Sequence, residues 1–474
     1  MGHLGWNGPL RPRPRGESTS SDTRFARWGR KPTRPGLAAT SRRVRGTGYI
    51  RPHRARWNQA SWVHSARTMA LHVQKFGGTS VADASRIKRV AARVAATKRA
   101  GNEVVVVVSA MGSSTDDLID LAGQLHPAPP AREMDMLLTA GERITMSLLA
   151  MAIDAEGIDA VSFTGSQAGI LTDSRHGGAK IKEIRDFRVI ESLEAGKVVI
   201  VAGFQGVDPE SKEVTTLGRG GSDTTAVALA AANHADVCEI YTDVDGVFTA
   251  DPRVVPNARK LDELTFEEML ELASTGARVL MARSVEVAQR FGVPLHVRSS
   301  FRDGPGTWVK ETTMEEAVVR GISHDTSEAK VTIVGVPDHP GVAATVFAPL
   351  AESGVNVDMI VQNVSHDGTT DISFTIPKAA VPIAEEATRT VAAQVGASSV
   401  QVDSGIGRVS IVGAGMRSNP GIATRMFEVL AENEINIEMI STSSIRISCV
   451  IREEQVDDAV RALHAAFLEE VSHG

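Results

Sequence analysis

The stretch Leu71-His72-Val73-Gln74-Lys75-Phe76-Gly77-Gly78-Thr79-Ser80 decides the architecture of this chain. Residues 71–76 read as a short strand, and the paired glycines as a tight turn into a helix over about Asp83–Ala100, whose outer face is basic. The next element, Glu103–Ser109, contains five consecutive valines, Val104–Val108. A valine run without polar alternation is expected of a strand covered on both faces, the usual position in a parallel sheet. Further along, the pattern predicts a helix over Met136–Ala155, a strand over Lys197–Gly203 and an Ala-rich helix over Thr224–Ala235. A strand over Val237–Thr242 and a helix over Leu264–Ser274 follow. Strands alternating with helices to about residue 300 predict an α/β layer with parallel strands and right-handed crossovers.

The 474 residues allow two or more domains. Aromatic residues make up only 4%, while valine, alanine and glycine abound, as suits β-branched strands under Ala-rich helices. Cys238 and Cys449 sit in apolar, strand-like runs, which argues against a disulfide framework and for a reducing compartment. No uninterrupted apolar stretch of about 18 residues occurs, so no membrane-spanning helix is expected. Charge is unevenly spread. Residues 1–68 carry 14 Arg and Lys31 against Glu17 and Asp22, a net +13, which leaves −19 for the rest of a chain whose formal total is −6. The basic leader reads as a polyanion-binding tail, as a transit peptide, or as a segment ahead of a true start at Met69. The third is favoured because an orderly strand begins just after Met69, and in each case the Pro, Gly and Arg content predicts disorder.

From about residue 314 the pattern changes to an internal repeat. Val331-Thr332-Ile333-Val334-Gly335 returns as Val409-Ser410-Ile411-Val412-Gly413, and Pro340-Gly341-Val342-Ala343 as Pro420-Gly421-Ile422-Ala423. Asn356-Val357-Asp358-Met359-Ile360 returns as Asn436-Ile437-Glu438-Met439-Ile440. Three ordered blocks predict a duplicated small α/β module, each copy running strand, Pro-Gly loop, helix, strand, strand.

Four segments carry candidate chemistry. In Lys75–Ser80 the glycines let backbone N–H groups approach phosphate oxygens at a helix start, and Lys75 supplies a point charge. The Lys precedes the glycines, so this is not the common P-loop, and an ordinary tight turn is the plain alternative. In Gly218-Arg219-Gly220-Gly221-Ser222-Asp223 a second Gly-rich loop opens a helix. Arg219 offers a planar fork for a carboxylate, and Asp223 a carboxylate for Mg²⁺ or for Lys75, although Ser222 or Asp223 also suits a simple N-cap. Thr242–Arg253 follows a strand, where nucleotide sites of open α/β sheets gather, but also reads as a polar loop. Glu142, in Thr139–Arg143, can accept from an ammonium group or be a solvated glutamate near a helix start. Ser109 and Thr115, after the valine strand, are placed to donate to a ligand or to cap a helix.

These motifs, in this order and at this spacing, resemble the aspartokinases of the amino-acid kinase superfamily, and the likeness runs from Met69 to about residue 470. The Lys-Phe-Gly-Gly-Thr-Ser start and the Gly-Arg-Gly-Gly-Ser-Asp core are specific to that family among its superfamily relatives. The C-terminal repeat resembles tandem ACT domains, as in monofunctional actinobacterial enzymes regulated by lysine plus threonine. The resemblance implies an amino-acid kinase fold, an open and mostly parallel sheet flanked by helices, over 69–313. Two ferredoxin-like βαββαβ ACT domains over 314–398 and 399–474 would follow. It implies a cytoplasmic enzyme that uses ATP and Mg²⁺ to phosphorylate the β-carboxylate of L-aspartate. That reaction is the first step towards lysine, threonine, methionine, isoleucine and diaminopimelate. A homo-oligomer is implied, or an α2β2 assembly with a short subunit started near Met314, with no membrane or nucleic-acid partner.

Residue by residue, the family's pattern implies that Lys75, Gly77 and Gly78 hold ATP phosphates with Ser109 nearby, and that Phe76 and Ser222 also contact the cofactor. Thr242, Asp243, Val247, Phe248, Thr249, Ala250, Asp251, Pro252, Arg253 and Arg278 would surround the nucleotide. Thr115, Glu142, Arg219, Gly220, Gly221 and Ser222 would bind aspartate, with Lys75, Arg219 and Asp223 catalytic. Two departures stand out: Phe248 replaces a common Tyr, and Arg278 a nucleotide-contacting Lys. Effectors are expected at Asp338, Ala343, Asn356, Val357, Asp358 and Gln362 in the first copy, and at Ile422, Ala423, Asn436, Ile437, Ser443 and Ser444 in the second. The second copy is expected mainly to build an interface. The alternatives are a kinase for another carboxylate and a catalytically inactive amino-acid sensor; intact Lys75, Arg219 and Asp223 favour the active enzyme.

Overall fold

The computed structural model describes residues 69–311, 318–363 and 368–469. The basic leader, Met314 and the boundary expected at 313/314 lie outside the described residues.

The N-terminal part runs β1 (Leu71–Phe76), α1 (Ala84–Arg99), β2 (Glu103–Val108), α2 (Ser114–Leu125), α3 (Ala131–Ala155) and β3 (Ala160–Phe163). It continues through β4 (Ile170–Thr172), β5 (Ile181–Ile184), α4 (Phe187–Glu194), β6 (Val198–Ala202), β7 (Gln205–Val207) and β8 (Val214–Thr216). Then come α5 (Gly221–Ala232), β9 (Val237–Thr242), β10 (Glu263–Thr265), α6 (Phe266–Ser274), α7 (Ala282–Phe291), β11 (Leu295–Ser299) and β12 (Thr307–Lys310). Eight strands form one sheet in the order β10-β12-β11-β9-β1-β2-β6-β3. The pairs from β11 to β3 are parallel, and only β12 runs against β11. The valine run explains its own position. Val104, Val106 and Val108 pack with α1 and α3 residues such as Val94 and Leu149, while Val105 and Val107 pack with α5 residues such as Leu229. Each fully buried valine contributes roughly 1.5–3 kcal/mol.

The expected elements are present, with instructive differences. α3 starts at Ala131, directly after Pro130, instead of at Met136; a proline suits a helix start because its missing N–H is not needed there. α5 starts at Gly221, so Ser222 and Asp223 lie inside its first turn. Residues 263–265 form an edge strand, and the helix begins at Phe266 behind a Thr265–Glu268 capping box. A second sheet, β5-β4-β7-β8, was not expected, because its strands of three or four residues leave no readable periodicity. By length and composition alone α3 passes as a membrane-crossing helix. Its inward face nevertheless buries Asp135, Thr139, Glu142 and Thr145 against the rest of the domain, which identifies a core helix.

The C-terminal part runs β13 (Gly321–Asp325), β14 (Glu328–Pro337), α8 (Val342–Glu352), β15 (Ile360–Gln362), β16 (Thr369–Pro377), α9 (Val381–Val395) and β17 (Ser399–Asp403). It ends with β18 (Ile406–Val412), α10 (Ile422–Glu432), β19 (Met439–Thr442), β20 (Arg446–Arg452) and α11 (Val456–His464). The two copies open their helices alike: Gly341 (φ 97°) precedes α8 and Gly421 (φ 100°) precedes α10. The expected boundary between copies is corrected. β17 lies after residue 398 yet pairs with β14 in the first sheet, order β15-β16-β14-β17. β13 lies inside the bounds expected for the first copy yet pairs with β18 in the second, order β13-β18-β20-β19. The second copy lacks a final strand of its own among the described residues, and β13 fills that edge. The two modules therefore interlock.

One cation sits at the crossing. Arg408 of β18 is 1% exposed and pairs with Glu328 of β14 at 3.1 Å, with Asp358, and with Asp325 at 4.0 Å. It also donates to the carbonyl of Ser274, the last residue of α6, at 3.1 Å. Burial raises the Glu328 carboxyl above its ordinary pKa even though Arg408 opposes the shift. Arg408→Met strands the buried Glu328 carboxylate without its cation and is expected to cost about 3–5 kcal/mol. Denaturant unfolding at pH 7 measures this; a loss under about 1 kcal/mol would mean the acids find other partners.

Candidate active site

In the parallel register, Lys75 stands beside Val107 on one side and Ile240 on the other, so β1, β2 and β9 end level with one another. The loops beyond these ends gather most of the expected residues. Lys75 Nζ lies 2.6 Å from Asp223 Oδ1, and both side chains are about nine-tenths buried. The pair joins the central strand to the first turn of α5, whose unpaired N–H groups favour negative charge. Lys75 Nζ also folds back over the turn, since a Cβ added at Gly77 would sit 3.4 Å from it. Gly78 is required by close approach: a Cβ there would lie 2.9 Å from the Ala110 carbonyl oxygen and 3.0 Å from that of Gly112. The Ser109 N–H donates to Phe76 O at 3.1 Å, tying the two loops together.

Glu142 was read as lying near a helix start. It lies in the middle of α3, 3% exposed. The neighbouring Gly141 explains how, because any Cβ there would meet the Ala110 Cβ at 2.6 Å. The close approach lets Ala110 N–H donate to Glu142 Oε1 at 3.2 Å, while Oε2 is buried with no hydrogen-bond partner. Burial pushes this carboxyl up to about 7. A buried carboxylate oxygen without a donor is a ready acceptor for a ligand N–H.

Other expected residues stand apart or serve elsewhere. Arg219 is exposed on the loop before α5, Gly220 precedes that helix with φ 67°, and Thr115 is half-buried in the first turn of α2. The Phe76 ring is fully buried and stacks on Tyr241 at 4.7 Å, so only its backbone faces the loop. Thr242 donates to Asp243 Oδ1 at 3.1 Å, and the Asp251 carboxylate is held by Arg253 below the ordinary carboxylate range. Val247 belongs to the core, while half-buried Phe248 bridges to Lys260 and Pro252 is exposed.

Thr249 and Ala250 are engaged within the fold. Thr249 N–H donates to Arg259 O, its carbonyl accepts from Ile322, and its hydroxyl contacts His464 Nε2 at 2.9 Å. Ala250 packs in the core of the second repeat module. Arg278 is exposed, and its ion-pair contact is Asp325 of β13 at 3.9 Å.

In the repeats, Asp338, Ala343, Asn356 and Gln362 are exposed, Val357 is half-buried, and Asp358 is taken by Arg408. Ile422, Ala423 and Ile437 are half-buried, and Asn436 and Ser444 exposed. Ser443 is held by the N-terminal domain. Its hydroxyl donates to Glu271 of α6 at 2.8 Å, beside an Arg446–Glu271 pair at 3.0 Å.

Sequence reasoning missed Asp135, Thr216 and Arg283, which hold the approach to Arg219. Asp135 lies seven residues before Glu142, two turns along the same helix face. An earlier helix start would have revealed it.

The model for the amino acid kinase family matches residues 70–299, and models for ACT domains match residues 330–396 and 409–467. The aspartokinase of Mycolicibacterium smegmatis is 61% identical over 405 residues, covering 84% of this chain and 96% of the relative. Aspartokinase III of E. coli, in complex with aspartate and ADP in the R-state, superposes with a TM-score of 0.71 at 26% identity. The match covers 84% of this chain and 99% of that one. The same enzyme in complex with lysine and aspartate in the T-state gives 0.66 at 26% identity over the same shares.

Glu142 sets a pH dependence. Its folded pKa is raised, so the stability it contributes is full below about pH 4.3, the unfolded value, and is lost as pH rises through about 7. Without ligand, Glu142→Gln is expected to gain on the order of 3 kcal/mol relative to wild type between pH 4 and 8. Urea unfolding across that range measures it, and parallel curves for the two proteins would contradict the raised pKa.

Proposed function

Because the chain belongs to the aspartokinase family, we propose that its residues divide a single in-line phosphoryl transfer from ATP to the β-carboxylate of L-aspartate, giving 4-phospho-L-aspartate. One observation carries this division: a buried Lys75–Asp223 pair at the strand end, beside a Gly-Gly turn and a helix N-terminus. That is an arrangement for polyphosphate charge, with Lys75 facing the charge that spreads in the transition state. Gly77 and Gly78 bring backbone to the phosphates, and Thr242, Asp243, Phe248 and Asp251–Arg253 flank the nucleotide.

At the other end, the unpartnered Glu142 Oε2 accepts from the aspartate ammonium group, and the exposed Arg219 guanidinium forks onto a carboxylate. Thr115 and Ser222 complete the contacts. The accepting carboxylate has an ordinary pKa of about 4, so it is already nucleophilic and needs no general base. Among the described residues no three His, Cys, Asp or Glu gather in a way that could hold a metal ion. Asp223, beside Lys75 at the ligand end of the sheet, would be the protein carboxylate that holds Mg²⁺. When bound it supplies neutralising charge on the β- and γ-phosphates.

The repeats supply feedback control by lysine and threonine together, bound at the Pro-Gly loop of the first copy with Asp338, Asn356, Asp358 and Gln362. Asp358, Arg408 and the Ser274 carbonyl form a continuous path from that pocket to α6. Effector contacts that differ between two arrangements of this path shift activity. The enzyme works in the cytoplasm, opens the route to the lysine, threonine, methionine and diaminopimelate family, and associates as a homo-oligomer or with a short subunit begun near Met314.

Trapping aspartyl phosphate as its hydroxamate tests the reading on residues 69–474. Lys75→Ala is expected to lower turnover at least about 100-fold while the protein stays folded; near-normal turnover would remove Lys75 from the chemistry. Millimolar lysine plus threonine are expected to suppress wild-type activity, and Asp358→Ala to blunt that suppression. Wild-type turnover indifferent to both amino acids would refute the assigned regulation.

A further inference from the structure

Asp135 is 1% exposed in the second turn of α3 and meets donors on every side. His176 Nδ1 lies 2.7 Å from Oδ2, and Gly177 N–H donates to Oδ1 at 3.0 Å. Thr216 gives two more bonds, its N–H to Oδ2 at 3.2 Å and its hydroxyl to Oδ1 at 2.5 Å. Thr216 ends β8 and is followed by Leu217, Gly218 and Arg219. The next link is also held: Leu217 N–H donates to Phe204 O, and Arg283 donates to Leu217 O at 2.8 Å. The entry to the Arg219 loop is therefore pinned through its backbone, while the Arg219 side chain stays exposed.

The same helix carries Glu142 seven residues on, about 10.5 Å along the axis at 1.5 Å per residue. Asp135 thus ties the element bearing Glu142 to the loop bearing Arg219. A ligand gripped at its ammonium end by one and at a carboxylate by the other experiences their separation as a ruler.

We propose that Asp135 is a positioning residue that sets the spacing between Glu142 and Arg219, and with it the affinity for aspartate and the rejection of longer amino-acid dicarboxylates. The inference rests on the roles given above to Glu142 and Arg219. The carboxylate is needed because it is acceptor-only and faces the Gly177 and Thr216 N–H groups and the Thr216 hydroxyl; an amide at this place turns its own N–H₂ against one of them.

The test is steady-state kinetics of Asp135→Asn and Thr216→Val, with aspartate and ATP varied separately and glutamate as competing acceptor. Thr216→Val deletes one of the bonds and nothing in the binding machinery. Both variants are expected to raise the aspartate KM, by at least about 10-fold for Asp135→Asn and less for Thr216→Val, with the ATP KM within twofold. The preference for aspartate over glutamate should narrow. A role confined to holding the fold would lower melting temperature and active fraction while leaving both KM values alone; that result in either folded variant overturns the proposal, as does an equal rise in the two KM values. Should Asp135→Asn not fold, Thr216→Val decides alone. Wild-type protein inert on aspartate would instead sink the functional reading on which the spacing argument stands.

Discussion

The Lys75–Asp223 pair is the contact around which the N-terminal domain is arranged. An ion pair so far removed from water repays its desolvation only where geometry is good and further polar groups are close. Those conditions explain much of the surrounding architecture. β1 must be central, hydrogen-bonded on both edges, so that its end is held firmly. α5 must begin where β6 ends, which the close fit of Gly203 against Ser222 allows. The valine strand beside β1 must be apolar on both faces, since α1 and α3 cover one and α5 the other. Open α/β sheets bind ligands beyond the carboxyl ends of their strands for this reason: polar groups find room there without entering the layers.

The second dependence lies on α6. Its polar face meets the C-terminal modules at successive turns. Glu268 pairs with Arg320 at 3.3 Å, Glu271 with Arg446 and Ser443, and the Ser274 carbonyl with Arg408. Thr249, inside the candidate nucleotide loop, and Arg259, just after it, add contacts to His464 and to the Leu468 carbonyl. The residues expected to read a nucleotide and those that seat the regulatory module are thus neighbours in sequence and share one loop. The strand that crosses between the modules strengthens the coupling. With β13 in one sheet and β14 in the other, only Thr326 and Ser327 separate the two modules, and Arg408 closes over the crossing.

Much of this was legible beforehand. Leu71–Phe76 and Val237–Thr242 were readable as strands to the residue, because apolar runs ended by Gly or Asp have few alternatives. The duplication was readable because three sequence blocks recur in order, and Gly341 and Gly421 share one backbone conformation. The small sheet β5-β4-β7-β8 was not readable, since three-residue strands take their conformation from their neighbours. Glu142 was visible as a motif residue, but its buried, donor-poor setting was not, because that setting comes from the contact of Gly141 with Ala110 thirty-one residues away in sequence.

By itself the sequence determined the alternation of strands and helices, the order of the charged motifs and the existence of two copies of one module. These are properties of local patterning and of recurrence along the chain. Only the tertiary structure decided that Thr249 and Ser443 serve an interface and that β13, just ahead of the first module's sheet, completes the sheet of the second. It alone placed Asp135 as the link between Glu142 and the Arg219 loop. Each of these depends on which distant groups satisfy a buried hydrogen-bonding atom. Burial makes such satisfaction obligatory, but local sequence does not name the partner.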